Sequence, residues 1–213
     1  MAFIVTIAQQ KGGAGKTTLA CHLAAALAET LQVEPEEIAT IDLDPQQSLT
    51  YWAELRRARK SGPATQHISA TGYRATAELS RLKRDCRVII LDTPPHAEST
   101  TRMAIRAADL ILVPLQLTAF DLLATKTTAE MIGVSGKSPL LVFNRVPPRS
   151  RVANAIRDRM ADFQVPIAET EIGARTALAE SILVGRGVTE TAPNSVAARE
   201  IRALAGEVSE YIQ

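Results

Sequence analysis

Thiols are nearly absent from the chain. Its 213 residues include only Cys21 and Cys86, far apart and without a companion at metal-ligand or redox spacing. A disulfide framework is thereby excluded, and so is a cluster held by several thiolates. An excess of charge of one sign is also missing: 24 Lys and Arg stand against 23 Asp and Glu, a formal net charge of +1. That excludes a polybasic protein, although not a local basic face. No stretch approaches the roughly 18 apolar residues of a membrane span. The apolar run from Phe3 to Ala8 is too short for a signal peptide, lacks a basic leader and flows into a glycine-rich loop. Internal repeats and low-complexity tracts are absent, and Gly62-Pro63, Pro147-Pro148 and Pro193 sit in stretches short enough to be loops. The first strand begins within a few residues of Met1, so no N-terminal helix-turn-helix module is expected. Cytoplasm is the expected compartment.

What is present is an apolar content of 46%, enough for one sizeable core over residues 1–213. Short apolar runs alternate with longer helical segments. Strands are expected at Phe3–Gln9, Ile38–Leu43, Arg87–Asp92, Leu110–Pro114 and Leu140–Asn144, each rich in Val, Ile or Leu and continuously apolar. Helices are expected at Lys16–Thr30, Ser48–Lys60, Tyr73–Arg84, Ala119–Ile132, Arg151–Phe163, Arg175–Gly185 and Ser195–Tyr211. Strands buried on both faces and alternating with helices imply a single α/β domain, a mostly parallel twisted sheet with helices on both faces.

The first strand leads into Lys11-Gly12-Gly13-Ala14-Gly15-Lys16-Thr17-Thr18 and then a helix. This order wraps backbone amides around a polyphosphate at a helix N-terminus, as in P-loop NTPases. Gly12, Gly13 and Gly15 permit close approach, with Ala14 and Thr18 completing the cradle. Lys16 would reach the β- and γ-phosphates of ATP, and the Thr17 hydroxyl would ligate Mg2+. A second acid-bearing segment, Ile41-Asp42-Leu43-Asp44-Pro45-Gln46, ends a predicted strand, where a carboxylate can face the phosphates. A third, Val88 to Pro95, ends its apolar run in Asp92, which would point into the ligand crevice and hold magnesium through water. Thr93–Ala97 would form a loop that senses the γ-phosphate. His96 reads as a surface-loop histidine rather than a base, because phosphoryl transfer to water needs positioning and charge neutralisation more than a strong base.

The usual phosphate loop has a glycine five residues before Gly15; here that position is Gln10, followed by Lys11. Lys11-Gly12-Gly13 with Gly15-Lys16-Thr17 resembles the deviant loop of ParA/MinD-type ATPases, and the likeness extends over essentially the whole chain. The resemblance implies that Lys11 is a signature lysine crossing a dimer interface to the partner's nucleotide. It also implies that Asp44 organises magnesium and the attacking water, with Asp42 in a supporting hydrogen-bond role. Lys11, Lys16 and Asp44 are then the catalytic set. Asn144 is an adenine contact by resemblance, and Pro114-Leu115-Gln116 with Phe120-Asp121 resemble the segment that lines the dimer face. The chain is most similar to small plasmid-partition ParA proteins without a helix-turn-helix domain. Relatives of that size also position chemosensory clusters and carboxysomes or assist DNA transfer.

That family's behaviour implies a homodimer around ATP that binds DNA non-specifically on the nucleoid. Release follows hydrolysis stimulated by an adaptor, ParB-like or other. Arginines are dense from Arg145 to Arg159, and Arg149 and Arg151 are the candidate DNA contacts. Two alternatives stay open. A MinD-like membrane-surface ATPase needs a basic amphipathic C-terminal helix, whereas Glu200, Glu207 and Glu210 make Ser195–Gln213 acidic, so its stripe of Ile201, Leu204, Val208 and Ile212 is expected to pack on the core. A metabolic enzyme on the same fold needs cluster cysteines or a substrate pocket that the sequence does not display.

Overall fold

The structure is a computed structural model that describes residues 1–60, 65–148, 151–160 and 165–212, without the side chains of 151–153. Six strands form one sheet: β1 (Phe3–Ile7), β2 (Ile38–Asp42), β3 (Gln66–Ser69), β4 (Val88–Asp92), β5 (Leu110–Leu115) and β6 (Pro139–Phe143), in the order β3-β2-β4-β1-β5-β6. Every pairing is parallel. The connecting helices are α1 (Lys16–Leu31), α2 (Ser48–Arg59), α3 (Gly72–Asp85), α4 (Glu98–Ala107), α5 (Ala119–Gly133), α6 (Arg151–Met160), α7 (Thr176–Ile182), α8 (Val188–Thr191) and α9 (Val196–Glu210).

Alternate residues of each strand feed opposite layers, because successive side chains of a strand point to opposite faces. Val5 and Ile7 of β1 and Val88 and Ile90 of β4 pack with α1, α2, α7, α8 and α9. Ile4, Ile89 and Leu91 pack with α3 on the other face, where α5 and α6 cover β5 and β6. Both faces being covered is why these strands are continuously apolar. The expected core role of the last helix holds: Ile201, Leu204 and Val208 are buried, and α9 lies against α1. No helix among the described residues is long and apolar enough to cross a membrane.

Three elements lack a signal in the sequence. Strand β3 is four half-buried residues, Gln-His-Ile-Ser, at the sheet edge, too short and polar for a buried-strand pattern. Helix α4 opens Glu-Ser-Thr-Thr-Arg and buries only Thr101, Ala104 and Ile105, so it has little apolar stripe to read. Helix α8 is a single turn. Strand β1 ends at Ile7 rather than Gln9, and α7 is shorter than expected at both ends. The predicted end of the helix from Arg151 to Phe163 lies outside the described residues.

The carboxyl ends of β1, β2 and β4 meet at one edge of the sheet: Ile7 pairs in register with Asp92, and so does Asp42. Chain leaving β1 returns through α1 to one side, and chain leaving β4 returns through α4 to the other. Such a divergence opens the crevice in which open α/β sheets bind ligands.

Candidate functional site

The loop after β1 is shaped by backbone freedom at its last glycine. Gly15 caps α1 at φ 95, and a β-carbon there would lie 2.3 Å from the Asn144 amide nitrogen. Only glycine fits. Side chains from two neighbouring strand ends take up the loop's carbonyls: Gln116 Nε2 donates to Gly13 O at 2.7 Å, Asn144 Nδ2 to Ala14 O at 2.8 Å and Arg145 Nη1 to Gly13 O at 3.3 Å. With carbonyls so engaged, the loop is left to offer amides to a ligand, joined by the amides of the first turn of α1. The cavity beside it has a volume of about 280 Å³ and is lined by Gly12, Gly13, Gly15, Lys16, Thr17 and Thr18, with Asp44, Gln46, Ser48, Pro95 and Arg145 facing them.

Charge in this cavity is arranged for a ligand that brings both signs. Lys16 is buried, and burial lowers its pKa against the pull of Asp92 and then Asp44. Asp92 is buried too, and burial raises its pKa to about 7; the Thr17 hydrogen bond opposes that rise, and Asp42 adds to it. Thr17 Oγ1 donates to Asp92 Oδ2 at 2.6 Å, while Asp92 Oδ1 is buried without a hydrogen-bond partner. An orphaned buried carboxylate oxygen beside a hydroxyl whose proton is already given away is a hard, oxygen-only donor set. It fits Mg2+, which typically takes one or two protein oxygens and the phosphates of its nucleotide.

The two aspartates after β2 are used differently. Asp42 is fully buried and saturated: Oδ1 accepts from Asp44 N at 3.0 Å, and Oδ2 accepts from Thr50 N and Thr50 Oγ1, each at 2.9 Å. Asp44 is half-buried, lines the cavity and accepts from Gln46 N at 2.9 Å.

Lys11 is placed away from the cavity, its ammonium 2.7 Å from Asp121 Oδ2 of the same chain. Asp121 is fully buried in the first turn of α5, where its amide donates to the Thr118 hydroxyl and its carboxylate accepts from it. Further contacts tie the loop to this helix. Gln9 Nε2 donates to Thr125 Oγ1 at 3.1 Å, and Thr128 Oγ1 donates to Gln9 Oε1 at 2.8 Å.

Of the other expected residues, Asn144 backs the loop through Ala14, and His96 is exposed in the loop before α4. Arg149 lies outside the described residues, and Arg151 opens α6 with its side chain undescribed. Arg145 and Gln116 had not been singled out as loop-backing groups. The rule that places ligand residues at strand carboxyl ends reaches both, since they follow β6 and β5.

The carboxysome distribution protein A of Halothiobacillus neapolitanus is 27% identical over 215 residues, covering 97% of this chain and 96% of that protein. The chromosome-partitioning ATPase Soj of Thermus thermophilus is 28% identical over 244 residues, covering 98% of this chain and 96% of that one. Among solved structures, MinD of Pyrococcus horikoshii complexed with Mg-ADP superposes with a TM-score of 0.75 at 20% identity, over 99% of this chain and 97% of that one. A family model matches residues 5–188 and with it the phosphate loop and both acidic strand ends, so the chain belongs to the CobQ/CobB/MinD/ParA nucleotide-binding domain family.

Proposed function

We propose that the chain is an ATPase that dimerises around ATP, binds DNA without sequence preference and positions or partitions a cargo until a partner stimulates hydrolysis. The observation that carries this reading is the Lys16–Thr17 cradle set against the half-satisfied Asp92, with a second lysine, Lys11, in the same loop but turned to Asp121. Two relatives are named for carboxysome distribution and for chromosome partitioning, and solved relatives of the fold include complexes with ATP and with Mg-ADP.

In this reading Lys16 and the loop amides hold the β- and γ-phosphates, and Thr17 and Asp92 hold magnesium, Asp92 through water. Bound magnesium neutralises charge on the transferring phosphoryl group. Asp44 orients the water that displaces ADP from the γ-phosphorus, and Lys11 reaches the partner's nucleotide. Asn144 reaches the adenine while backing the loop. The workplace is the nucleoid in the cytoplasm, and the stimulating partner is a ParB-like or other adaptor. The apolar stripe of α9 is consumed by α1, which argues against a membrane-surface role.

The test is phosphate release and light scattering on Asp44→Ala with ATP and magnesium. The variant is expected to bind ATP, lose turnover and accumulate as a dimer. A parent chain that binds ATP but releases no phosphate, with or without DNA, overturns the ATPase reading. Turnover that requires a small-molecule acceptor points to a synthetase instead.

A further inference from the structure

The saturated Asp42 does not stand alone. Thr50, which donates to it, sits in the first turn of α2, a helix whose N-terminal residue Gln47 provides no side-chain cap. Asp42 takes over that task from the end of β2, accepting from the Thr50 amide and, through its other oxygen, from the Asp44 amide. One carboxylate thus clamps both ends of the turn that carries Asp44. Behind Thr50 lies His67 of the edge strand, with Nε2 at 3.0 Å from Thr50 Oγ1 and Nδ1 at 2.8 Å from Thr40 Oγ1. Thr40 and His67 are register partners across β2 and β3, and Asp42 follows Thr40 by two residues on the same strand face.

The protons along this row of side chains are fixed by elimination. A carboxylate only accepts, so the single Thr50 hydroxyl proton goes to Asp42 Oδ2. Thr50 Oγ1 must then accept from His67 Nε2–H. That leaves Nδ1 as an acceptor for the Thr40 hydroxyl, whose other contact, to Gln66 O, is longer at 3.4 Å. Burial lowers the pKa of His67 to about 4, so near neutral pH the ring is neutral and has one proton to give.

We propose that His67 is a positioning residue for hydrolysis: acting through the Thr50 hydroxyl, it orients Asp42 and so sets the backbone of the Asp44 turn. The proposal rests on the ATPase reading above and adds to it a residue outside the cavity. A Thr50 hydroxyl without His67 is free to rotate away from Asp42. Asp42 then keeps the two backbone amides but loses one of its three hydrogen bonds, so the carboxylate is less firmly oriented and the Asp44 turn is held more loosely for the attacking water.

Side-chain geometry provides the test. A glutamine amide nitrogen can take the place of His67 Nε2, whereas an asparagine nitrogen takes the place of Nδ1 and reaches only Thr40. His67→Gln is therefore expected to keep parental turnover. His67→Asn and Thr50→Val are expected to lose it about tenfold, with ATP affinity by calorimetry within about twofold of the parent and Thr50→Ser unaffected. Amide hydrogen exchange at Asp44 and Thr50, read without added nucleotide, is expected to quicken in His67→Asn and Thr50→Val and not in His67→Gln. Equal turnover and exchange in the glutamine and asparagine variants overturns the positioning role, as does a loss of turnover matched by loss of ATP affinity. If the parent binds ATP but does not hydrolyse it, the ATPase reading falls, while the exchange comparison still decides whether His67 sets the turn.

Discussion

Lys11 and Asp121 form an ion pair of 2.7 Å within a single chain, and the second oxygen of Asp121 is buried without a partner. A lysine that reaches a neighbouring subunit's phosphates must leave this aspartate. Leaving uncovers a buried carboxylate that keeps only the Thr118 hydroxyl, a loss that is costly but smaller than for a fully buried pair, because Lys11 is itself partly exposed to water. Dimerisation has to offset that cost. Asp121→Asn removes the charge while keeping a group that the Thr118 hydroxyl can reach. It is therefore expected to shift the ATP-dependent monomer–dimer balance towards dimer, whereas Lys11→Ala binds ATP yet stays monomeric. Light scattering across a concentration series with ATP and magnesium reads both. A Lys11→Ala chain that dimerises like the parent refutes the crossing role.

Nucleotide affinity itself is assigned to Lys16 and Thr17. Removing a charge-assisted hydrogen bond typically costs about 1.5–3 kcal/mol, more where charge is left unpaired. Lys16→Ala leaves both Asp92 and the phosphates without their cation, so ATP binding is expected to fall below detection by calorimetry. Thr17→Ala is expected to retain binding of ATP alone while losing most of the gain in affinity that magnesium brings. Unchanged affinity in Lys16→Ala would sink the phosphate-loop assignment.

The sequence made the α/β plan legible wherever a strand is buried on both faces, as in β1, β2, β4, β5 and β6, because burial leaves long unbroken runs of Val, Ile and Leu. It was silent on β3, an edge strand whose residues are half-buried and polar. The same silence hid the His67–Thr50–Asp42 row, since side chains that meet only through β2–β3 pairing and the α2 turn share no sequence spacing. The phosphate loop was legible because its glycines, lysine and threonine are contiguous. The intrachain partner of Lys11 was not, because Asp121 lies 110 positions away and is brought in by α5.

Acid sensitivity of the fold follows from His22. The ring is fully buried in α1, accepts from Val188 N–H through Nδ1 at 3.1 Å and donates from Nε2 to Leu178 O at 3.2 Å. Burial lowers its pKa from 6.5 to about 4. Between those values the unfolded chain binds more protons than the folded one, so stability rises with pH. The contribution is fully present above pH 6.5 and is lost as pH falls towards 4, amounting to about 2 kcal/mol between pH 7.5 and pH 5. His67 shifts in the same direction, so the comparison must be made within a pair. His22→Gln is expected to be less stable than the parent at pH 7.5 yet to lose less on going to pH 5, by urea midpoints. A variant whose pH dependence parallels the parent's refutes the assignment.

DNA binding is expected to belong to the ATP dimer. The arginines between Arg145 and Arg202 are fewer as phosphate ligands than their number suggests. Arg157 is paired with Glu171, Arg175 with Glu200 and Arg202 with Glu29, and Arg145 faces the nucleotide cavity. Arg159 is exposed on α6, beside an equally exposed Asp158. The candidate contacts from the sequence, Arg149, which lies outside the described residues, and Arg151, which opens that helix with its side chain undescribed, are the residues to reverse in charge. One chain, offering few phosphate ligands, is expected to bind weakly. A dimer would double them on a shared face, and because each neutralised phosphate releases counterion, affinity is expected to rise steeply on dimerisation and to fall with added salt. No sequence preference is expected, since nothing among the described residues resembles a groove-reading module. Fluorescence anisotropy on unrelated duplexes is expected to show binding with ATP and little with ADP or without nucleotide. Arg149→Glu with Arg151→Glu is expected to weaken every duplex alike, to lower the salt slope by about one for each phosphate no longer neutralised, and to leave ATP turnover without DNA unchanged. Equal affinity in all nucleotide states, or strong selection of one duplex, would overturn the switch.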